Sequence, residues 1–567
     1  MIRTLLLAVF LLGGCALIPP DGVPGTTLQP AATGRIVRAA VAALDQPLVY
    51  NRFGSVNPYG MIYALERDLV EASSGLPVGA STCPGDVRLR PTKRPRPLVL
   101  RVNEGDVLEI RFTNRLLAEW PDRSSCRWRD LPGVDPGTRR YPPDYAYARD
   151  YGALGEPESP EVPEPVVGVA EAEGTGPDGT PVHGADWPRT RLASITVAGL
   201  TPIGGRPCEA PEDQWLPPSD PRVSGIQAIP PGTCFVYRYR AERVGTHLFF
   251  SNGAPAGGEG DGGSLVHGLF GAVHVEPEGS RWLRSQVRPE ELALARTRAT
   301  APALLDYEAS RRGGPVLEML RPVEGVPKTY ELVHGDLTAI VADCLGPYAG
   351  QPRCRDRKGG PKAPAFREFT VIFHDELKTF YADAFQELAR EYMLEGVGDG
   401  FAINYGASGM GTLLLANRKG IGPAARCLEC LYEEFFLQSW ANGDPALLPG
   451  FLPDGRPAYA DDPSNVYHSY LGDRVEFRNL HAGPKETHVF HLHAHQWLAQ
   501  RADEPERETG TYLDSQTIAP QQGFTYPIHY GGSGNRNVTP GDSIFHCHLY
   551  PHFAQGMWAL WRVHDVF

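Results

Sequence analysis

The chain has 567 residues, of which 42% are hydrophobic, and a formal net charge of −13. This length exceeds a single hydrophobic core and indicates about three domains of ordinary size. The acidic balance, without a basic stripe along the sequence, argues against nucleic acid as a partner. The 63 glycines and 54 prolines separate aromatic and β-branched runs, a pattern that predicts many short strands joined by turns. We therefore expect an all-β fold of sandwich or barrel domains.

The amino terminus has the features of an export signal. Met1 to Pro20 carries one basic residue, a short apolar core and small residues before Cys15. The apolar run is too short to span a membrane as a helix. Leu12-Gly13-Gly14-Cys15 resembles a bacterial lipobox, in which cleavage precedes a cysteine that then receives a lipid. Ala16, rather than an aspartate, follows the cysteine, which is similar to lipoproteins sent to the outer membrane. The predicted segments are a signal peptide at 1–14 and a lipid-anchored flexible tether at 15–35, facing the periplasm.

Strand patterns continue through three further regions in chain order. The first, 36–280, is interrupted by an acidic, proline-rich insertion at 154–181, whose low apolar content predicts a loosely packed loop. The second, 281–449, has strand patterns at Tyr330–Ala342 and Phe369–His374.

The third region, 450–567, has Tyr470–Leu480 as its first clear strand. Helical periodicity is scarce, and its clearest instance is Asp375–Leu394 in the second region.

The ten cysteines agree with export. If Cys15 carries a lipid and Cys547 binds a metal, eight cysteines are left. This even number suggests up to about four disulfides in an oxidising compartment. We expect the local pairs Cys208–Cys234 and Cys344–Cys354 first. The Cys427-x-x-Cys430 pair fits a structural disulfide better than a redox or metal motif, because no second such motif accompanies it. The full set of eight is Cys83, Cys126, Cys208, Cys234, Cys344, Cys354, Cys427 and Cys430.

Two histidine-rich windows near the carboxy terminus carry the strongest chemical signal. Residues 488–495 read HVFHLHAH and residues 546–557 read HCHLYPHFAQGM. A blue-copper centre takes two imidazoles, one thiolate and a weak axial thioether. Cys547, His552 and Met557 supply three of these ligands, and the first window offers the second imidazole. Because neighbouring side chains of a strand point to opposite faces, Cys547 can serve one metal while the histidines on either side of it serve another. His481 and His495, taken singly, are better explained as structural histidines.

These windows match, at the same spacings, the third and fourth copper motifs of the multicopper oxidases, His-x-x-His-x-His and His-Cys-His-x-x-x-His-x-x-x-x-Met. The chain resembles this superfamily, which includes laccases, ascorbate oxidase and bacterial copper and manganese oxidases. The resemblance implies copper as the cofactor and three cupredoxin-like Greek-key domains, at 36–280, 281–449 (without a copper motif) and 450–567. It implies His488, Cys547, His552 and Met557 for type 1 copper, His491 for type 2 copper, and His493, His546 and His548 for the type 3 pair.

The first region departs from the family pattern. Arg101–Leu116 resembles the family's opening strand pair, and Ser194–Leu200 and Gly245–Asn252 resemble the neighbourhoods of two further His-x-His pairs. Thr196, Ala198, Phe250 and Asn252 stand where those four histidines are expected. A substitute ligand could come from His183, His247 or His267, although His247 and Phe250 should point to opposite faces of their strand. Four of the eight histidines expected to bind the type 2 and type 3 copper ions are therefore missing from the pattern.

Two function classes follow. In the first, the chain is an oxidase. A reducing substrate gives single electrons to type 1 copper at the edge of His488 or His552. Cys547 passes them to copper at His491, His493, His546 and His548, where dioxygen or another small acceptor is reduced. In the second, the oxygen site has decayed, and the chain is an electron-transfer or copper-binding lipoprotein. The expected catalytic residues are His488, Cys547, His546 and His548.

The four retained ligands of type 2 and type 3 copper, His491, His493, His546 and His548, favour the oxidase class. The substrate, whether a phenol, an amine or a metal ion, stays open, as do the oligomeric state and the electron acceptor. Only six methionines occur in the chain, which counts against a cuprous-oxidase role.

Replacing Cys15 tests the predicted anchor. Wild-type protein should fractionate with membranes and partition into detergent, whereas Cys15→Ala should not be processed to the same product because the lipidated thiol is gone. Fractionation and mass spectrometry of the mature amino terminus measure both. Fully soluble periplasmic wild-type protein, cleaved elsewhere, would reject the lipobox.

Overall fold

The computed structural model describes residues 34–117, 191–253, 263–296, 306–342, 365–381, 399–406, 466–500 and 508–565, with gaps of a few residues, and two short strands at 174–175 and 181–182. The predicted export signal and most of the acidic insertion lie outside the described residues. So do His183 and five cysteines of the predicted disulfides: Cys126, Cys344, Cys354, Cys427 and Cys430. Within the described part of the chain, no helix has the length and apolarity needed to cross a membrane.

The described elements are mostly strands, which confirms the expected β class. Up to residue 276 they are β1 (Ile36–Asp45), β2 (Leu48–Val49), β3 (Ser55–Asn57), β4 (Met61–Leu65), a 3-10 helix (Glu66–Asp68), β5 (Leu69–Glu71), β6 (Val87–Leu89), β7 (Leu98–Asn103), β8 (Val107–Asn114), β9 (Gly174–Thr175), β10 (Pro181–Val182), β11 (Thr196–Val197), β12 (Thr201–Pro207), β13 (Cys234–Arg240), β14 (Gly245–Phe250) and β15 (Phe270–Glu276).

Two more groups of elements follow. From residue 281 to residue 403 they are β16 (Arg281–Arg284), α1 (Pro289–Ala295), β17 (Ser310–Arg311), β18 (Gly314–Pro315), β19 (Leu320–Pro322), β20 (Thr329–Leu332), β21 (Thr338–Ala342), β22 (Phe366–Lys378), β23 (Phe380–Tyr381) and β24 (Asp399–Ile403). From residue 467 they are β25 (Tyr467–Tyr470), β26 (Val475–His481), β27 (His488–Leu492), β28 (Trp497–Gln500), β29 (Glu508–Leu513), β30 (Ser515–Ile518), β31 (Gly523–Pro527), β32 (Gly541–Cys547), α2 (Tyr550–Ala554) and β33 (Trp558–His564).

The first region is built on two sheets. One has the order β12-β13-β8-β1-β20-β19, with β4 paired to β1, and the other has the order β11-β14-β15-β7. Apolar side chains of both sheets meet in one core, in which Phe112, Tyr237 and Phe249 are fully buried. Burying aromatic and aliphatic surface of this kind stabilises a sandwich by roughly 25 cal/mol per Å².

Strands from 281–403 pair with both neighbouring regions. β20 lies parallel to β1 of the first region, whereas β22 lies parallel to β26 of the third region in the sheet β16-β21-β22-β26-β31, with β24 on β22. The third region adds the sheet β25-β33-β32-β27-β30. Side chains of these two sheets share an aromatic core that contains Phe369, Phe477, Phe490 and Trp561. The domain boundaries at 280 and 449 stay predictions.

A buried ion network joins the first region to β22 and β26. Glu368 accepts hydrogen bonds from Arg101 Nε at 2.9 Å and from Arg478 Nε at 3.0 Å. Arg478 also reaches Glu276 at 2.8 Å, and all four side chains are at most 1% exposed. A buried charge is tolerated only when it is paired and hydrogen-bonded, so these partners must stay together. The network thereby fixes the position of β22 and β26 against β7 and β15.

One sequence expectation was wrong and one was confirmed. The helical pattern at Asp375–Leu394 does not give a helix at its start, because residues 375–378 continue strand β22 and Phe380–Tyr381 form β23. Pairing of β22 with β24 overrides the local periodicity there. The later residues of that pattern lie outside the described part of the chain. The disulfide Cys208–Cys234 is present and joins the end of β12 to the start of β13.

Removing one cation of the network should destabilise the fold. Arg478→Met leaves Glu276 without its arginine, so the free energy of unfolding should fall by about 3–5 kcal/mol. Denaturant unfolding curves measure it. The control Arg562→Met breaks the exposed pair with Asp542 and should cost less than about 1 kcal/mol. Equal losses in the two variants would contradict a structural role for the network.

Candidate metal centre

The two histidine-rich windows form neighbouring strands. β27 and β32 pair antiparallel, with Phe490 opposite Cys547 and His491 opposite His546. Successive side chains of a strand point to opposite faces of the sheet. His488 and Cys547 therefore point into the aromatic core, and His491 and His546 point to the other face. The paired strands therefore carry two groups of potential ligands back to back.

On the core side, three donor atoms converge. His488 Nδ1 lies 2.9 Å from His552 Nδ1, and Cys547 Sγ lies 3.7 Å and 3.5 Å from these two nitrogens. All three residues are buried, and they form one of the groups whose geometry could hold a metal ion. We call this group the thiolate triad.

A short helix positions His552 in the triad and precedes Met557, the last sequence-predicted ligand. α2 begins with Pro551 at its first turn and carries His552 inward. Gly556 then adopts a positive φ of 115°, which permits the sharp return of the chain. Met557 N donates to His552 O at 3.1 Å, and Cys547 N donates to Met557 O at 3.1 Å. Met557 is fully buried in the core cluster that contains Cys547.

The triad fits a copper ion of the blue type. Three donors around one ion at about 2.0–2.3 Å would be separated by roughly 3.5–4 Å. The two sulfur–nitrogen separations of 3.7 Å and 3.5 Å match this range, whereas the two nitrogens, 2.9 Å apart, must separate when an ion binds. Burial lowers the pKa of both histidines below the usual value, which keeps the imidazoles neutral and able to ligate. Burial also raises the pKa of Cys547 to about 11, so a metal ion must displace the thiol proton on binding.

The triad reaches the surface through Glu486. His488 is fully buried, and Phe401 stacks on the His552 ring at 4.5 Å. His552 Nε2 lies 2.7 Å from Glu486 Oε2, whose side chain is 52% exposed. Of the two histidine edges considered from the sequence, the His552 edge is the one beside a solvent-exposed group.

The structure adds residues that the sequence did not single out. Asp375, at the end of β22, is buried and accepts the backbone N–H of Glu486. Burial raises the pKa of Asp375 to about 7. No spacing or motif connects this residue to the histidine windows, because only the parallel pairing of β22 with β26 brings it there.

His481 and His495 have the structural roles expected of them. His481 stacks on His488 at 4.4 Å, accepts from Gly483 N through Nδ1 and donates to Glu486 O through Nε2. His495 Nδ1 donates to His493 O at 3.0 Å, while its Nε2 accepts from Gly534 N at 3.2 Å. Both nitrogens of each ring are therefore committed to backbone groups.

On the opposite face, His491, His493 and His546 form a second possible metal group. His493 Nε2 and His546 Nε2 are 3.2 Å apart. His491 Nδ1 donates to Asp514 O at 2.9 Å, and His546 Nδ1 donates to Cys547 O at 2.9 Å. These backbone acceptors leave the Nε2 atoms of both rings available to a metal.

His548 lies at the margin of this second group. Its ring centroid is 5.0 Å from that of His491, and its side chain is exposed, as is that of His493. Burial lowers the pKa of His546 to about 4. The structure thus gathers three of the four predicted histidines tightly and places the fourth beside them.

The four substituted positions of the first region also come together. Thr196 pairs with Phe250 across β11 and β14, and Asn252 Nδ2 donates to Thr196 Oγ1 at 2.6 Å. Phe250 packs on an apolar core cluster. His247 Nδ1 donates to Ala198 O at 3.0 Å. Hydrogen-bonding and apolar side chains therefore occupy the place where the family pattern predicts four ligands.

Neither described substitute candidate joins the second histidine group. His267 is fully buried with Nδ1 3.4 Å from Asn57 Nδ2. Among the described residues, no group that could hold a metal includes His247 or His267.

Comparison with known proteins agrees with this geometry. The multicopper oxidase family profile matches residues 440–565. This part of the chain is therefore similar to a multicopper oxidase domain. It contains the thiolate triad and the second histidine group, and the match confirms the family resemblance of the two motifs.

More distant similarities extend beyond this domain. A probable nitrite reductase-hydroxylamine oxidoreductase fusion protein from Kuenenia stuttgartiensis is 25% identical over 103 residues, covering 18% of this chain and 11% of that protein. A copper nitrite reductase structure from Nitrosomonas europaea superposes with a TM-score of 0.38 at 12% identity, covering 94% of this chain and 95% of that one. A multicopper oxidase structure gives 0.34 at 11% identity, covering 93% and 89%. Similarities at this level do not establish a shared activity.

The thiolate triad makes a spectroscopic prediction. Copper-loaded protein should be blue, because thiolate-to-copper charge transfer absorbs strongly in this ligand set. Cys547→Ser should abolish the colour while the protein stays folded, since the serine oxygen is a poor ligand for this type of site. Visible absorption and circular dichroism measure the two effects. Copper-loaded wild-type protein without the band would contradict the assignment.

Proposed function

We propose that this chain is a copper oxidoreductase that takes single electrons from a small reducing substrate. The observation that carries the proposal is the pairing of the thiolate triad with a second histidine group on the other face of the same two strands. When bound, copper supplies one-electron chemistry by alternating between its cupric and cuprous states.

The electron route that we propose follows the chain between the two groups. Cys547 belongs to the triad, and the residue bonded to it, His546, belongs to the second group. The hydrogen bond from His546 Nδ1 to Cys547 O adds a second short connection. A few covalent bonds therefore separate the two groups, and Cys547 and His546 are the residues we propose to carry electrons between them.

Substrate oxidation is proposed at the His552 edge. The half-exposed carboxylate of Glu486 beside His552 Nε2 suits a substrate that brings a positive charge or a hydrogen-bond donor. Phenols, amines and metal ions all meet that condition. The exposed second group, with His493 and His548 at the surface, is the side on which we place dioxygen or another small acceptor.

A second candidate function rests on the substituted positions. The Thr196–Asn252 hydrogen bond and the packing of Phe250 leave the first region without the family's ligands. This favours an electron-transfer or copper-binding protein in which the thiolate triad alone is in use. The retained second group favours the oxidase.

Three wider features complete the proposal. The first feature that we propose is a fold of three cupredoxin-like domains, with the copper ligands in the third domain. The second is a location in the periplasm, and the third is a lipid anchor to the outer membrane at Cys15. The mostly β architecture supports the first feature. The amino-terminal sequence supports the other two.

Copper stoichiometry separates the two candidates. Wild-type protein should bind more than one but fewer than four copper ions per chain, because three or four imidazoles from one region can hold one or two ions. Its turnover of dioxygen with generic laccase substrates should be weak. His493→Ala and His546→Ala should lower the copper count and keep the blue band, since neither residue belongs to the thiolate triad. Metal analysis with visible absorption measures both.

His468→Ala serves as the control, because His468 pairs with His564 on strands outside both ligand groups, and it should change neither readout. One copper per chain in the wild type, unaffected by His493→Ala, would favour the electron-transfer candidate. Four copper ions per chain, two of them magnetically coupled, would contradict the prediction of fewer than four copper ions.

A further inference from the structure

A carboxylate from another sheet element stands behind the thiolate triad. Asp375 lies at the end of β22, is 1% exposed, and has Oδ2 3.9 Å from His488 Nε2. The same oxygen accepts the backbone N–H of Glu486. Gly483 makes this approach possible, because a Cβ atom at that position would overlap Asp375 Oδ1. The local backbone is therefore built around the carboxylate.

Two buried polar atoms face this space without hydrogen bonds. Asp375 Oδ1 and His488 Nε2 are buried, and neither has a hydrogen-bond partner among the described residues. Such atoms cost free energy unless a further interaction uses them.

The geometry fixes where the proton of His488 must be when the triad holds a metal ion. Nδ1 is the atom that faces Cys547 Sγ and His552 Nδ1, so its lone pair is the one available to the ion. A neutral imidazole then carries its proton on Nε2. The Asp375 carboxylate lies 3.9 Å from that nitrogen.

A separate metal site at Asp375, His481 and His488 is the alternative explanation. Their donor atoms lie within 4.8 Å of one another. However, His481 Nδ1 accepts from Gly483 N, and its Nε2 donates to the Glu486 carbonyl. With His488 Nδ1 committed to the triad, the carboxylate would be left with one imidazole nitrogen, too few donors for a transition-metal site.

We propose that Asp375 is a positioning residue whose carboxylate accepts the Nε2–H of His488 and thereby tunes the type 1 copper. The inference rests on the proposed function, because it requires copper in the triad. The proposal requires the 3.9 Å separation between His488 Nε2 and Asp375 Oδ2 to shorten to a hydrogen bond when the triad holds copper. An anionic acceptor fixes the tautomer and ring orientation and makes the imidazole a stronger donor. It therefore favours the cupric over the cuprous ion and lowers the reduction potential.

Asp375→Asn isolates this effect. The asparagine side-chain oxygen still accepts the N–H of Glu486, so the loop keeps its hydrogen bond while the charge beside His488 disappears. The equilibrium constant for reduction by a mediator should rise roughly tenfold, equivalent to about 59 mV for one electron. Spectroelectrochemical titration of the blue band measures this change.

Glu376→Gln is the matched control, because it removes the neighbouring buried carboxylate, which pairs with Lys485. The control should shift the equilibrium constant less than twofold. A blue Asp375→Asn protein with a shift as small as that of the control would overturn the proposal.

Wild-type protein provides a second measurement that does not depend on folding of a variant. Pulsed electron paramagnetic resonance of the cupric protein reads the quadrupole couplings of the remote nitrogens of His488 and His552, of which His552 Nε2 already contacts the Glu486 carboxylate. Both couplings should match an imidazole N–H bonded to a carboxylate, and one coupling typical of imidazole in an apolar medium would overturn the proposal. A wild-type protein with no blue band would instead overturn the proposed function itself, and this inference with it.

Discussion

Both ligand groups depend on one constraint, the alternation of side-chain direction along strand β32. Because successive side chains leave a strand on opposite faces, Cys547 and His546 cannot serve the same site. The pairing of β27 with β32 repeats this division, with His488 on the inner face and His491 opposite His546 on the outer face. A single strand pair thus produces a buried sulfur-containing site and an open imidazole site, separated only by a peptide bond.

The environments of the two groups differ in ways that suit different tasks. The thiolate triad lies among Phe373, Phe401 and Phe490, and His552 contacts the half-exposed Glu486. A dry, rigid surrounding of this kind limits rearrangement of the ligands between oxidation states. In the second group His493 is exposed, His491 is half-buried and His546 is buried. Among the described residues no first-region side chain joins this group, and Thr196 and Asn252 bond to each other instead. We expect exchangeable small molecules on that side.

The three residues of the thiolate triad were predictable from the sequence, whereas the supporting residues were not. Cys547 and His552 follow from a fixed spacing along one strand and the adjacent helix, and His488 follows from the match of the first histidine window to the family motif. Asp375 depends on the parallel register between β22 and β26, which joins residues more than a hundred positions apart. Pairing of β22 with β24 explains why the helical pattern beginning at Asp375 does not form a helix at its start. The mostly β class followed from composition, but the sharing of strands from 281–403 between two sheets did not, since nothing local encodes it.

Anomalous scattering at the copper absorption edge, from crystals of copper-loaded protein, tests the central claim most directly. We predict one peak within bonding distance of His488 Nδ1, Cys547 Sγ and His552 Nδ1, and a separate peak at the Nε2 atoms of His493 and His546 on the other face of the strand pair. A map with no peak at Cys547, or with copper held by Asp375 and His481 instead, would contradict the account.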